Sequence, residues 1–257
     1  LLGGIFMDVK KLPVKRLEAI IAVLLLITSL VLIVPAQNLY AAPVKATKTI
    51  VDMAGRTVTV NKTVTKVFGT GANATVYLYT LAPDKLIGTN YEFNSAEKAF
   101  IPKKYQNLPV FGNFSGSKTS TNLEALIKAG PDVLVMAASP IVQNDQEDAD
   151  KLQKQTGIPV FIIDGSLEKI PNAYLKLGEL LGEGARAKKL YSYSFHAING
   201  VKYRAIPKGK QLTIFFGNGE KSLDTAPRGS SHGEAFDLVK AINAAALKNS
   251  APGRIEV

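Results

Sequence analysis

The sequence predicts an α/β fold built on a parallel sheet covered on both faces, and three observations predict it. Strand-like and helix-like segments alternate between residues 64 and 163. The strand segments Val64–Phe68, Val133–Met136 and Val160–Ile163 are unbroken apolar runs, as expected of strands buried on both sides. Turn residues at Pro83-Asp84, Gly130-Pro131-Asp132 and Gly157-Ile158-Pro159 separate the segments, so strands alternate with covering helices.

Ahead of the first buried strand, Thr49–Asp52 and Thr57–Val60 alternate about Met53-Ala54-Gly55-Arg56, a hairpin pattern. Val64–Phe68 opens the sheet, Gly69-Thr70-Gly71-Ala72-Asn73 forms a loop, and the apolar stretch Ala74–Leu81 is the next helix. Lys85–Gly88 and Val110-Phe111-Gly112 are short strands on either side of a polar connection bracketed by Pro102 and Pro109. Leu123, Leu126 and Ile127 give Asn122–Ala129 helical spacing, and an acidic helix, Asp145–Thr156, separates the last two apolar strands. From Ile170 to about Tyr203 the apolar positions mark one long helix, eased at Gly182-Glu183-Gly184. About thirty residues at 1.5 Å each span roughly 45 Å, more than one βα unit needs. A new strand, Leu212–Phe216, follows Lys208-Gly209-Lys210, then a glycine-rich loop to Gly233 and a helix from Glu234 to about Ala246. The expected division is a leader and signal peptide at 1–42, an α/β lobe at 48–166, a connecting helix at 167–206, and the start of a second α/β lobe at 207–257.

With 46% hydrophobic and 20% charged residues the chain is globular in composition. Lys10, Lys11, Lys15 and Arg16 precede an apolar run from Ala19 to Val34, and small residues follow at Ala36, Ala41 and Ala42. That order is a secretory signal peptide; an uncleaved membrane anchor is the other possibility, the run being near the lower limit for spanning a bilayer. Met7 is the expected start, with residues 1–6 as untranslated leader. There is no cysteine, which excludes a disulfide framework and a lipid anchor on cysteine. The product is therefore expected in the periplasm or otherwise outside the cytoplasmic membrane. The net charge of +10 comes from scattered lysines without aromatic interleaving, so nucleic acid is not an expected partner.

Three segments carry a family resemblance: the hairpin Val51-Asp52-Met53-Ala54-Gly55-Arg56-Thr57-Val58, the helix start Asn122-Leu123-Glu124-Ala125-Leu126, and Gly130-Pro131-Asp132-Val133-Leu134 directly after it. From about Thr49 to Val257 the chain resembles substrate-binding proteins of ABC importers for iron-siderophores, haem and cobalamin, with Asn61 departing where the family usually has proline. The resemblance implies the class III periplasmic-binding-protein fold, two lobes joined by one rigid helix. It implies a small-molecule metal chelate as ligand, an ABC permease as membrane partner, and a monomer. It also implies further βα units after the segment resembling Gly253-Arg254-Ile255-Glu256-Val257, so the second lobe is expected to be incomplete.

Glu124 lies in the first turn of its helix, where the dipole favours a carboxylate; the resemblance makes it the residue that docks the permease. Gly69-Thr70-Gly71-Ala72-Asn73-Ala74 fits G-x-G-x-x-A after a strand and before a helix, with Glu92 placed to serve as the ribose acid. An NAD-dependent oxidoreductase is thus the alternative function, weighed against an exported protein's lack of a nicotinamide pool. In a binding protein the same loop faces the cleft and makes Asn73 a ligand contact. Loops holding Tyr91 and Phe93, Asn113-Phe114-Ser115, and Ala138-Ser139-Pro140 fall at carboxyl ends of strands, where ligands bind in open sheets. Their aromatics either stack on a flat chelate or pack against the loops. Arg228, His232 and Glu234 follow in the second lobe; His232 is one of two histidines and a candidate ligand contact, and no partner cluster makes it part of a metal site. The candidate ligand-binding set is therefore Asn73, Tyr91, Asn113, Phe114, Arg228 and His232, with no cofactor, no metal ligand and no catalytic residue.

Overall fold

The computed structural model describes residues 46–114, 122–204, 206, 207, 209–222, 224–245, 255 and 256. The leader and signal-peptide expectations, and those on Ser115, Lys208, Ala246, Gly253, Arg254 and Val257, lie outside the described residues. The hairpin is β1 (Thr47–Val51) and β2 (Thr57–Asn61), antiparallel, with Ile50 opposite Val58. Ile50, Val58 and Val60 point inward, as the period-two alternation requires.

β3 (Val67–Gly69) leads through a glycine-containing loop into α1 (Ala72–Leu81). A short helix, α2 (Ser95–Lys98), lies in the connection to α3 (Leu123–Ala129), β4 (Val133–Ala138), α4 (Gln143–Thr156) and β5 (Val160–Asp164). β3, β4 and β5 form a parallel sheet in that order, Phe68 beside Leu134 and Leu134 beside Val160. The expected short strands at 85–88 and 110–112 are reduced to single bridges, Val67 to Leu86 and Thr89 to Val110. Pro109 has no N–H to extend that ladder and contributes only its carbonyl, which accepts from the Thr89 N–H.

Both faces of the sheet are covered, which is why its strands are continuously apolar. Val67, Val133, Val135, Phe161 and Ile163 pack with α1 and the hairpin on one side. Phe68, Leu134, Met136, Val160 and Ile162 pack with Leu126 of α3 and Ala149 and Leu152 of α4 on the other. Two helix ends were marked by glycine in the sequence and are glycine in the structure: Gly130 and Gly157 take left-handed conformations with φ of 62° and 70°.

The single long helix expected over 170–203 is two helices, α5 (Ile170–Leu181) and α6 (Gly184–Lys202). Gly182 ends α5 with φ 74°, and the Glu183 N–H donates to the Gly178 carbonyl. A Cβ on Gly178 would overlap that of Ala187, so the two helices cross at a point where only glycine fits. Lys48 donates to the carbonyls of Glu179 and Leu180, and Lys85 to that of Leu181, satisfying the end of α5. Ala173, Leu177, Leu180 and Leu181 are buried, so α5 belongs to the sheet's cover. α6 buries only Ala187 and leads onward, about 28 Å of helix at 1.5 Å per residue.

After α6 the elements are short: β6 (Thr213–Ile214), β7 (Gly217–Asn218), β8 (Asp224–Thr225), α7 (Glu234–Leu238), β9 (Ile242–Asn243) and β10 (Ile255–Glu256). β6 pairs with β9 in parallel, and β8 lies between β7 and β10. The expected strand 212–216 is therefore two residues long, and the expected helix 234–246 ends at Leu238. Lys240 takes φ 57°, and the Ile242 and Ala244 N–H groups then donate to the carbonyls of Leu212 and Ile214. Pairing with β6 draws the chain out of the helix.

Candidate functional site

The carboxyl ends of β3, β4 and β5 meet α1 and the segment before α7 around a cleft of 490 Å³ lined by Asn73, Val76, Tyr77, Ser139, Gly165, Ile170, Tyr174, Ser231 and His232. This is the position at which open α/β sheets bind ligands. Each wall has a local origin. Asn73 and Tyr77 stand four residues apart on α1 and so share a face. Ser139 lies just past β4 in a cis Ser139–Pro140 pair, and a Cβ on Gly165 would sit 2.8 Å from the Ser139 hydroxyl. Tyr174 leans on Tyr77 with ring centres 5.2 Å apart, and its hydroxyl is 3.0 Å from Thr80 Oγ1.

The electrostatics favour a neutral lining. Burial, then Tyr174 and the carboxylates of Asp164 and Glu234, push the Tyr77 phenol well above its ordinary value, so it remains a hydroxyl. Glu234 Oε2 accepts from the Leu167 N–H at 2.5 Å, tying α7 to the end of β5. His232 is exposed at the cleft, Nδ1 3.3 Å from the Ser231 hydroxyl. Among the described residues no three His, Cys, Asp or Glu side chains are grouped to hold a metal ion.

The structure brings together some of the residues singled out in the sequence. Asn73 and His232 line the cleft, and Asn113 joins Asn73, Gly71 and Ala137 around an adjoining hollow of 230 Å³. Tyr91 lines a different pocket, on the other flank of α1. Phe114 packs edge-on against Phe68 at 5.9 Å, and its N–H donates to the Thr70 carbonyl. Arg228 is exposed, 3.5 Å from Asp237, and is not among the cleft residues. Glu124 is exposed in the first turn of α3, whose Leu126 packs on the sheet face opposite α1. His196 is on the exposed side of α6, its ring nitrogen 2.6 Å from the Ser192 carbonyl.

Tyr77, Tyr174, Ile170 and Gly165 were not singled out in the sequence. Tyr77 was findable, because it follows Asn73 by one helical turn; nothing local brings Tyr174 across from α5.

Packing explains the glycine loop. A Cβ on Gly69 would sit 2.6 Å from the Thr75 backbone nitrogen, so a side chain there would drive α1 off the strand. Gly71, at φ −155°, is extended and has no such requirement. The Asn90 amide donates to the carbonyls of Gly69 and Gly112 and accepts from the Thr75 hydroxyl, tying the end of β3, the start of α1 and the segment at Gly112 together. Glu92 is exposed.

No protein-family model and no curated protein sequence matches the chain. Solved structures do. An ABC transporter solute binding protein from Sulfurospirillum deleyianum DSM 6946 superposes with TM-score 0.68 at 22% identity, over 81% of this chain and 66% of that one. The Haemophilus influenzae molybdate periplasmic binding protein MolA, bound to molybdate, gives TM-score 0.62 at 17% identity over 82% and 69%. The heme binding protein HmuT gives 0.55 at 17% identity over 80% and 66%. The chain has the fold of ABC-transporter solute-binding proteins, and it spans about two thirds of the length of the structures it matches.

Proposed function

We propose that this chain is the extracytoplasmic substrate-binding component of an ABC importer, capturing a metal chelate and passing it to a membrane permease. The observation that carries this is the cleft: an aromatic and hydroxylated wall from the first lobe facing Ser231 and His232, at the carboxyl ends of a parallel sheet. The cleft binds rather than reacts. Its groups are hydrogen-bond donors and acceptors around two tyrosines whose rings meet at a tilt of 55°, the chemistry of orienting a preformed ligand.

Among the described residues that line the cleft none is Lys or Arg, and Asp164 and Glu234 lie near enough to raise the Tyr77 phenol. That composition opposes a bare oxyanion and suits a neutral or cationic chelate. The Tyr77 phenol stays a hydrogen-bond donor, and among the described residues no cluster of His, Cys, Asp or Glu competes with the chelator for its metal. An iron-siderophore of the hydroxamate type fits this best, ahead of haem and cobalamin. Asn73, Asn113 and His232 supply polar contacts, and Tyr77 and Tyr174 the stacking surface. Glu124, exposed at the start of α3, is the permease contact through charge-assisted pairing with arginine.

The test is titration of the purified protein with a ferric trihydroxamate, followed by quenching of tyrosine fluorescence, since the chain has nine Tyr and no Trp. Saturable binding is expected, weakened by about 1–3 kcal/mol in Tyr174→Ala by analogy with base stacking on aromatics. Glu124→Ala should leave affinity unchanged and reduce uptake in cells. Saturable NADH binding with no siderophore binding would overturn the proposal in favour of an oxidoreductase.

A further inference from the structure

We propose a second binding site, separate from the cleft, for a small uncharged aromatic molecule. α1 has two lined flanks. Asn73 and Tyr77 face the cleft, whereas Ala72, Thr75 and Tyr79 face a pocket of 330 Å³ closed by the segment between Leu86 and Leu108. Val76 stands on the ridge between them and lines both. The volume lies within the range of small-molecule sites, about 300–1,000 Å³.

The class of guest follows from what the walls leave unsatisfied. Thr75 donates to Asn90, whose amide donates to Gly69 and Gly112; the Thr89 hydroxyl donates to the Tyr91 carbonyl; the Tyr105 hydroxyl donates to Asp84. The one carboxylate among the described lining residues, Glu97, accepts from the Asn94 N–H and completes the cap of α2. Apart from the Tyr79 and Tyr91 hydroxyls, the interior polar groups are thus committed to the fold, and a charged guest would lose water for at most those two neutral partners. Aromatic surface is what remains. Tyr79 meets Tyr105 edge-on at 5.6 Å, Tyr91 meets Phe93 edge-on at 5.9 Å, and Phe100 stands at the mouth with 88% of its surface exposed. A planar ring inserted among them gains edge-to-face contacts and removes apolar surface from water. This assigns Tyr91 and Phe93 to the side pocket, where neither was expected.

The probe is N-phenyl-1-naphthylamine, an uncharged aromatic dye that brightens in apolar surroundings, titrated against the full chain. One saturable site is expected. Ile101→Trp, which fills the pocket, should weaken dye affinity about tenfold or more, a change well within the reach of a steric block. Phe100→Asp sets a charge at the mouth on a residue too exposed to matter for folding, and should weaken it several-fold. His232→Ala, in the cleft, should leave the dye unaffected. If Ile101→Trp fails to fold, Phe100→Asp decides alone. Dye binding that ignores Phe100→Asp, never saturates, or falls with His232→Ala overturns the site. None of these outcomes depends on what the cleft binds.

Discussion

Asp132 shows how much one carboxylate can organise. Its two oxygens accept from the backbone N–H groups of Thr65 and Lys66, the Thr65 hydroxyl and the Asn61 amide, joining the end of the hairpin and the start of β3 to the turn before β4. Burial acts to raise its pKa, yet those four donors outweigh it and hold the carboxyl below the ordinary value. A depressed carboxyl contributes stability above the unfolded value, near 3.9, and loses it as pH falls through the folded value. Asp132→Asn is therefore expected to cost about 1–3 kcal/mol near neutrality, the range for disrupting charged hydrogen bonds. The gap from the parent protein should stay constant down to roughly pH 5 and narrow below about pH 4. Urea melts across that range measure it, and a pH-independent gap would show that the ionised carboxylate is not what stabilises the turn. The sequence marked Asp132 as a turn residue and part of a motif. It gave no sign that its donors lie some 66 to 71 positions earlier.

At the scale of elements, the hairpin does more than precede the sheet. The Met53 N–H donates to the Ile162 carbonyl, the Ile162 N–H donates to Asp52, and the Arg56 guanidinium donates to the Val160 carbonyl, to Asp52 and to Asp150. Its turn thus covers the outer edge of β5, which would otherwise offer unpaired backbone groups to another chain. The Asp52 side chain is fully buried and its ion pair with Arg56 spans 3.1 Å. Asp52→Ala should cost about 3–5 kcal/mol, as removal of one partner of a buried pair does, and should raise aggregation on warming. A melting temperature unchanged by that substitution would mean the edge is protected by something else. The hairpin, the three strands of the parallel sheet, the caps at Gly130 and Gly157, and the two-sided core are legible in the sequence, because local periodicity and turn chemistry encode them; the strands expected at 85–88, 110–112 and 212–216 are not formed at that length. The break at Gly182 was read only as an easing. Gly182 ends α5 in a left-handed conformation and brings Ala187 against Gly178, and a helical pattern on both sides of a turn does not reveal that contact.

Over the whole molecule, burial is unevenly shared, and this yields a prediction that joins stability to function. Among the described residues the buried apolar side chains run from Ile50 to Ala187, and in the region beyond α6 Ala226, Pro227 and Ala245 alone join them. That region exposes Leu212 at 73%, Phe215 at 54% and Ile242 at 48%. It is tied back to the chain after β5 by the Glu234 carboxylate, which accepts from the Leu167 N–H. Regions with few buried apolar contacts open at lower free energy than the global unfolding. Amide exchange should therefore be slow in β3, β4 and β5 and much faster from β6 through β9. A ligand in the cleft touches both parts, Tyr77 and Tyr174 on one and Ser231 and His232 on the other. At about a hundred times its Kd it stabilises every state that retains the cleft by roughly 2.7 kcal/mol. The strands of the first lobe exchange by global opening and gain that full amount. Residues 224–238 now open without first disrupting the lobe, and the same ligand couples their opening to its own loss. Bound ferric trihydroxamate should therefore slow exchange at 224–238 by up to about a hundredfold, the factor equivalent to that free energy. His232→Ala, held at about a hundred times its own Kd, should lose that protection selectively at 224–238 while the first-lobe amides keep theirs. If ligand slows only the first lobe, the segment before α7 takes no part in binding, and the ligand lies on the first lobe alone.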